Sequence, residues 1–137
     1  EIEKEGVKVL SSVEELYSTC QYISLHIPAN DKTKKSINYD LLSKMPKGAT
    51  LVNTARKEVI NEDDLKKIFA ERADFKYVSD IAPDCNNDLT QFEPRYYSTP
   101  KKQGAETAEA NINAGIASAN QIVNFIKKGD KTYQVNK

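Results

Sequence analysis

Residues 49–54 read ATLVNT, and this stretch decides the fold class of the chain. The run is short and nearly continuous in apolar and β-branched side chains, and the turn signal Pro46-Lys47-Gly48 precedes it directly. Such a run is typical of a strand in a parallel sheet, where neighbouring layers cover both faces. The sequence therefore predicts an interior strand of a parallel sheet at this position.

Three further strands are predicted on either side of this one. Residues 22–27 (YISLHI) and 75–81 (FKYVSDI) are apolar runs of strand length, and residues 7–10 (VKVL) form a shorter run. Residues 82–98 carry two prolines, two asparagines and several charges, which predicts a long irregular loop.

Helices are predicted between the strands. One begins at Ser12 and another covers residues 39–44, while a third is capped by Asn61 and presents apolar side chains at helical spacing. A long helix follows Pro100, with apolar residues recurring every three or four positions from Ala105, and Gly129 stops it. Alternation of strands and helices predicts an α/β fold with helices on both faces of a parallel sheet.

Composition excludes several classes of function. The 137 residues hold 20 Lys+Arg and 20 Asp+Glu, so charge does not favour binding to nucleic acid or to an anionic membrane. Cys20 and Cys85 lie far apart and form no CxxC pair, which argues against a disulfide scaffold and a zinc site. We expect no metal, no nucleic acid, no membrane and a reducing, cytoplasmic compartment.

Polar side chains follow three of the predicted strands. His26 ends the first, Arg56 follows the ATLVNT run, and Asp80 ends the next. Ligands of open α/β sheets bind beyond the carboxyl ends of the strands, so these residues form a candidate site. On pattern alone the alternatives stay open: a surface arginine, a structural histidine and an aspartate that caps a loop.

The amino-acid sequence of these segments resembles that of the D-isomer-specific 2-hydroxyacid dehydrogenase family. The resemblance is carried by SLHIP at residues 24–28, by MPKGATLVNTAR at residues 45–56, and by Thr99-Pro100 followed by Gly104-Ala105. It covers nearly the whole chain, from residue 7 to residue 128. Residues 99–113 look most like one branch, the D-3-phosphoglycerate dehydrogenases that have a lysine where other members have histidine.

The resemblance implies a role for each candidate residue. Arg56 would clamp the substrate carboxylate and polarise the ketone, and Lys101 would be the acid/base at the histidine position. Asp80 would hold the nicotinamide carboxamide of NAD. The other cofactor-binding candidates are His26, Asn53, Thr54 and Ala55.

Two departures from the family pattern stand out. No glutamate follows the Asp80 strand in the family position, and Lys101 replaces the histidine. We expect the two losses to belong together, because a carboxylate partner helps a histidine base but would hold a lysine in its charged form. The alternative is that Lys101 and Lys102 only bind the substrate's phosphate or are solvated.

The implied reaction is NAD-dependent oxidation of D-3-phosphoglycerate to 3-phosphohydroxypyruvate, the first step of phosphorylated serine biosynthesis. Alternatives are a dehydrogenase for another D-2-hydroxy acid, such as glyoxylate, hydroxypyruvate or lactate, and a non-catalytic protein that senses NAD. The family also implies a homodimer.

The five glycines, at positions 6, 48, 104, 115 and 129, make no GxGxxG fingerprint. We therefore expect a C-terminal piece of a longer protein. Residues 1–103 would be the second half of the NAD-binding domain, and residues 104–137 a crossover helix returning to the substrate domain. Such a piece should be inactive alone.

Overall fold

A computed structural model describes residues 2–101 and 107–136. The chain divides into two compact units, Glu1–Lys102 and Gln103–Lys137. The expected division of domains between residues 103 and 104 stays a prediction. Lys102, Gly104 and Ala105, which the sequence singled out, lie outside the described residues.

The first unit alternates helices and strands. Short 3-10 turns also occur at Ile2–Glu5, Lys57–Val59 and Thr90–Phe92. The helices and strands, in chain order, are α1 (Val13–Thr19), β1 (Tyr22–Leu25), α2 (Tyr39–Lys44), β2 (Thr50–Asn53), α3 (Glu62–Glu71), β3 (Lys76–Ser79), α4 (Asn86–Leu89) and β4 (Tyr96–Ser98).

The four strands form one parallel sheet in the order β1-β2-β3-β4. Leu51 of β2 lies opposite Ile23 of β1 and Tyr77 of β3. The ATLVNT run is therefore an interior strand, as predicted. Because all strands point the same way, their carboxyl ends meet at one edge of the sheet, which we call the carboxyl edge.

Helix caps predicted from the sequence are confirmed. The Ser12 side chain accepts the backbone N–H of Glu15, and the Asn61 side chain accepts that of Asp64. Leu65, Ile68 and Phe69 of α3 are all buried against the sheet's core. Each cap satisfies a donor that the first turn of a helix would otherwise leave open.

Two expectations about the strands are wrong. Residues 7–10 form no strand, and Val7 and Val9 are 51% and 57% exposed, so a short apolar run found no neighbour to pair with in this unit. Residues 82–98 are not wholly irregular, because they contain α4 and the edge strand β4. β4 has only three residues, too few for periodicity to show.

The expected second layer of helices is absent from residues 2–101. Alternate residues of β1 and β3 are buried and exposed, and those of β2 are buried and half-buried. One face of the sheet is thus covered by helices, and the other face is open in this unit. The ATLVNT run was expected to be buried on both faces, and Thr50 and Val52 are only half-buried.

The second unit consists mainly of α5 (Ala108–Lys128). Its Thr107 cap accepts the backbone N–H of Ala110, and Gly129 ends it in the left-handed conformation with φ 66°. The predicted C-terminal stop is therefore confirmed. None of the described helices, including α5, is both long enough and apolar enough to cross a membrane.

Arg72 fastens the connection between α2 and β2 to the end of α3. Its guanidinium donates to the carbonyls of Met45 at 2.7 Å and Pro46 at 2.8 Å, and it pairs with Asp74 at 2.6 Å. Asp74 also accepts the Gly48 N–H at 2.7 Å. The hydrogen bonds from Arg72 and Gly48 hold the pKa of Asp74 well below its usual range.

We predict that Asp74→Asn lowers the free energy of unfolding at pH 7 by about 1–3 kcal/mol, because the charge-assisted bonds to Arg72 are lost. A carboxyl whose pKa is depressed on folding stabilises the protein above its unfolded pKa and loses that effect as the pH falls. The difference should therefore shrink below about pH 4. Urea titrations at pH 7 and pH 3 measure it, with the exposed Asp31→Asn as control. Equal unfolding free energies for wild type and Asp74→Asn at pH 7 would contradict the prediction.

Candidate active site

A cleft of about 430 Å³ opens at the carboxyl edge, beyond β1 and β2. It brings together four of the residues that the sequence singled out, from two separate strand ends. The residues that line it are His26, Ile27, Pro28, Ala29, Thr54, Ala55 and Arg56. We call it the site cleft.

The turn after β2 is shaped by the Asn53 side chain, which is fully buried. Its Oδ1 accepts the Ala55 N–H at 3.0 Å, and its Nδ2 donates to the Arg56 carbonyl at 3.0 Å. The Asn53 side chain therefore holds the backbone of this turn from the core side. The side chains of Thr54 and Arg56 are exposed on the solvent side. Sequence reasoning expected Asn53 near the cofactor; the structure places its amide under the cleft.

Arg56 is exposed and lines the site cleft. One guanidinium nitrogen, Nη1, donates to the Ala55 carbonyl at 2.8 Å. A guanidinium presents five donors in a planar fork, so the group retains the capacity to bind a carboxylate by two parallel hydrogen bonds. The position therefore suits recognition of a small carboxylic acid.

His26 lines the wall of the site cleft that follows β1, and Arg56 lines the wall that follows β2. The His26 Nε2 is 2.9 Å from the Ser24 hydroxyl, which orients the exposed imidazole. Thr54 connects the two walls, because its hydroxyl donates to the Leu25 carbonyl at 3.4 Å. The two strand ends are therefore joined directly beside the cleft.

Asp80 follows β3 directly and is half-buried. Its N–H donates to the Asn53 carbonyl at 2.9 Å, which extends the ladder between β2 and β3 by one residue. Asp80 lies at the same carboxyl edge as Arg56, although it is not among the residues that line the site cleft.

Lys101 is exposed and comes three residues after the end of β4. The Thr99 N–H donates to the Ser79 carbonyl at 3.1 Å, so this segment begins at the carboxyl edge, next to the Asp80 turn. Lys101 does not line the site cleft. The structure thus joins His26, Thr54, Ala55 and Arg56, and leaves Lys101 outside that group.

A feature that sequence reasoning missed holds the loop after β3. The Glu62 carboxylate accepts the N–H groups of Asp84 at 2.9 Å and Cys85 at 2.7 Å, and Asp84 pairs with Lys57. Because Lys57 follows Arg56 directly, the loops after β2 and β3 are fastened to each other. From the sequence alone, an acidic residue in the first turn of a helix indicates only a charge that suits the helix dipole.

The Cys85 thiol is unsuited to nucleophilic chemistry. The residue is 8% exposed, and burial, with the neighbouring Glu62 carboxylate as the next cause, raises its pKa to about 12. A thiol reacts as its thiolate, which is scarce at neutral pH under these conditions. Cys85 is therefore a structural residue of the loop.

The residues of the site cleft fit one end of a dinucleotide. An imidazole, a hydroxyl and a guanidinium converge at the carboxyl ends of two parallel strands, and no carboxylate is among the lining residues. Such donors suit the sugar hydroxyls and amide of a nicotinamide nucleotide. The glycine-rich turn that would hold the pyrophosphate is not part of the 137 residues.

Comparison with protein families gives one match. Residues 1–100 match the family described as D-isomer specific 2-hydroxyacid dehydrogenase, NAD binding domain. The matched stretch includes the whole sheet and the site cleft, together with every candidate residue except Lys101.

Individual proteins show the same likeness. The chain is 30% identical over 139 aligned positions to D-3-phosphoglycerate dehydrogenase of Haemophilus influenzae, covering 96% of this chain and 33% of that protein. It is 32% identical over 113 positions to hydroxypyruvate reductase of Thermotoga maritima, covering 78% of this chain and 36% of that protein. The chain thus spans about a third of the length of these relatives.

A solved structure is similar as well. The NAD⁺-bound 3-phosphoglycerate dehydrogenase of Entamoeba histolytica is 44% identical, with a TM-score of 0.83. The match covers 96% of this chain and 45% of that chain. The parallel sheet described above is therefore shared with a dinucleotide-binding enzyme.

We predict that iodoacetamide at pH 8 alkylates Cys85 of the folded protein at least about 100-fold more slowly than Cys20, because almost none of the buried thiol is ionised. Glu62→Gln should speed Cys85 alkylation by removing the neighbouring charge. Mass spectrometry of timed samples measures both sites, with the exposed Glu58→Gln as control. Equal alkylation rates of Cys20 and Cys85 in the folded protein would contradict this prediction.

Proposed function

The chain belongs to the D-isomer-specific 2-hydroxyacid dehydrogenase family, and from that premise we propose that it forms part of an NAD-dependent D-3-phosphoglycerate dehydrogenase. The proposed reaction is oxidation of D-3-phosphoglycerate to 3-phosphohydroxypyruvate. That substrate would place the reaction at the first step of phosphorylated serine biosynthesis. The observation that carries the proposal is the position of Arg56. It shares one cleft with His26 and Thr54, at the carboxyl edge of a parallel sheet.

Arg56 is proposed to bind the substrate carboxylate. The exposed guanidinium suits bidentate recognition, and a positive group beside the reacting carbon stabilises the negative charge that develops on the C2 oxygen. The buried Asn53 amide donates to the Arg56 carbonyl. The backbone that carries the guanidinium is therefore held in one position.

NAD, when bound, supplies the hydride acceptor. His26, Thr54 and Ala55 are proposed to hold its nicotinamide end from the walls of the site cleft, and Asp80 to accept a hydrogen bond from its carboxamide. Asn53 is proposed to support this wall through the turn, since its amide lies below the cleft. These groups orient the cofactor and leave the redox chemistry to it.

Lys101 is proposed as the acid/base that takes the C2 hydroxyl proton. It is exposed and follows β4 at the carboxyl edge, the same edge at which Arg56 lies. The alternative role for Lys101, binding of the substrate's phosphate, predicts a different kinetic signature, given below.

The choice of substrate depends on groups beyond the carboxylate clamp. A hydroxypyruvate reductase is among the relatives, and a carboxylate clamp serves any small 2-hydroxy acid. The similarity to two proteins named as 3-phosphoglycerate dehydrogenases supports D-3-phosphoglycerate as the substrate. A homodimer and a cytoplasmic location stay predictions, and one plant relative of the same name is chloroplastic.

We predict that Lys101→Met in the complete protein lowers kcat for NADH-dependent reduction of 3-phosphohydroxypyruvate by about 100-fold or more, the size expected for loss of a general acid. NADH binding should be unchanged. A role in phosphate binding would instead raise KM for 3-phosphohydroxypyruvate and leave kcat for hydroxypyruvate intact. Absorbance of NADH follows the reaction.

The exposed Lys44→Met is the matched control, since Lys44 ends α2 outside the site cleft. Wild-type kinetics for Lys101→Met would remove Lys101 from the reaction. A wild-type protein that prefers hydroxypyruvate or pyruvate would reassign the substrate. A wild-type protein that binds NADH but reduces no 2-keto acid would point to the NAD-sensing alternative.

A further inference from the structure

The turns after β2 and β3 are joined beneath the carboxyl edge by buried polar side chains. Asn53 and Ser79 are 0% and 2% exposed, and among the described residues they are the buried polar ones outside the aromatic residues. They lie opposite each other in the register of β2 and β3, on the face that packs against the helices. An apolar pair would be the default at these positions.

Tyr77 connects to this pair. It is fully buried two residues before Ser79 on β3, and its hydroxyl accepts the Asn53 Nδ2–H at 3.3 Å. The Ser79 hydroxyl lies 3.4 Å from the backbone carbonyl of Asn53 and donates to the Ile81 carbonyl at 2.7 Å. Asn53 and Ser79 therefore link the Arg56 carbonyl to the Ile81 carbonyl, and Tyr77 is bonded to the Asn53 side chain.

The Tyr77 ring is held by its neighbours as well. It stacks on the Tyr96 ring with centroids 6.1 Å apart and planes 12° apart, so the hydroxyl has a fixed position. A buried hydroxyl or amide costs free energy unless it is hydrogen-bonded. Here the Tyr77 hydroxyl oxygen accepts one Nδ2–H of Asn53, the other Nδ2–H reaches the Arg56 carbonyl, and Oδ1 accepts the Ala55 N–H, so the amide has a single orientation that makes all three bonds.

We propose that Tyr77 is a positioning residue for Arg56, acting through Asn53. Its hydroxyl fixes the Asn53 amide, which holds the backbone of the turn that carries the guanidinium. The inference rests on the proposed role of Arg56 as the carboxylate clamp. Phenylalanine would fill the same volume, so the contribution of the hydroxyl can be tested separately from that of the ring.

In Tyr77→Phe the turn keeps its core packing but loses one anchor. In the complete protein we expect kcat/KM for 3-phosphohydroxypyruvate to fall about threefold to tenfold, the size of one lost neutral hydrogen bond. The dissociation constant of NADH should rise by less than kcat/KM falls, because His26, which is also proposed to hold the cofactor, follows β1 and does not depend on the Tyr77 hydroxyl.

Tyr17→Phe is the matched control. Tyr17 is a core tyrosine of α1, 1% exposed, whose hydroxyl has no hydrogen-bond partner among the described residues. The two variants make the same chemical change in the same core, and only Tyr77→Phe should affect kcat/KM. In an Arg56→Lys background the effect of Tyr77→Phe should disappear, because contacts that act through one another are not additive.

Amide hydrogen exchange gives a readout that does not depend on activity. The Ala55 N–H is bonded to Asn53 Oδ1, so Tyr77→Phe should speed its exchange, and Tyr17→Phe should not. Unchanged Ala55 exchange, or an undiminished effect of Tyr77→Phe in the Arg56→Lys background, would overturn the inference. A wild-type protein that reduces no 2-keto acid would overturn the proposed function instead, and Ala55 exchange would then decide whether Tyr77 holds the turn.

Discussion

The hydrogen bonding of one buried amide, that of Asn53, organises the carboxyl edge of the sheet. Its side chain holds the turn that carries Arg56, its carbonyl accepts the Asp80 N–H, and its Nδ2 meets the Tyr77 hydroxyl. A polar residue in the interior of a core is costly unless all its groups are paired. Here that pairing fixes how the ends of β2 and β3 present their side chains to the site cleft.

Most helices and strands of the first unit could be predicted from the sequence pattern. Capping residues, helical spacing and the apolar ATLVNT run led to α1, α2, α3 and three of the four strands, because each signal is local. The edge strand β4 was missed since three residues carry no period. Residues 7–10 look like a strand, yet a strand needs a partner, and the described residues supply none. Pairing is a tertiary property that a local run cannot reveal.

The candidate site also has residues that the sequence predicts and contacts that it does not predict. Arg56, Thr54 and His26 could be chosen because polar side chains after parallel strands converge at one edge. The function of Asn53 could not, since its side chain alternates into the core and its partner Tyr77 is distant in sequence. The grip of Glu62 on the loop after β3 was missed for the same reason: it joins residues more than 20 positions apart. Contacts of that kind appear only once the strands are in register.

The proposed function requires that the turns after β1, β2 and β3 contact the nicotinamide end of one bound cofactor. Hydrogen–deuterium exchange of the complete protein, with and without NADH, tests it most directly. The account predicts protection of peptides that cover residues 26–29, 53–57 and 79–82, with α1 and α2 unchanged. Protection confined to other parts of the protein, with the turn at residues 53–57 exchanging as before, would contradict it.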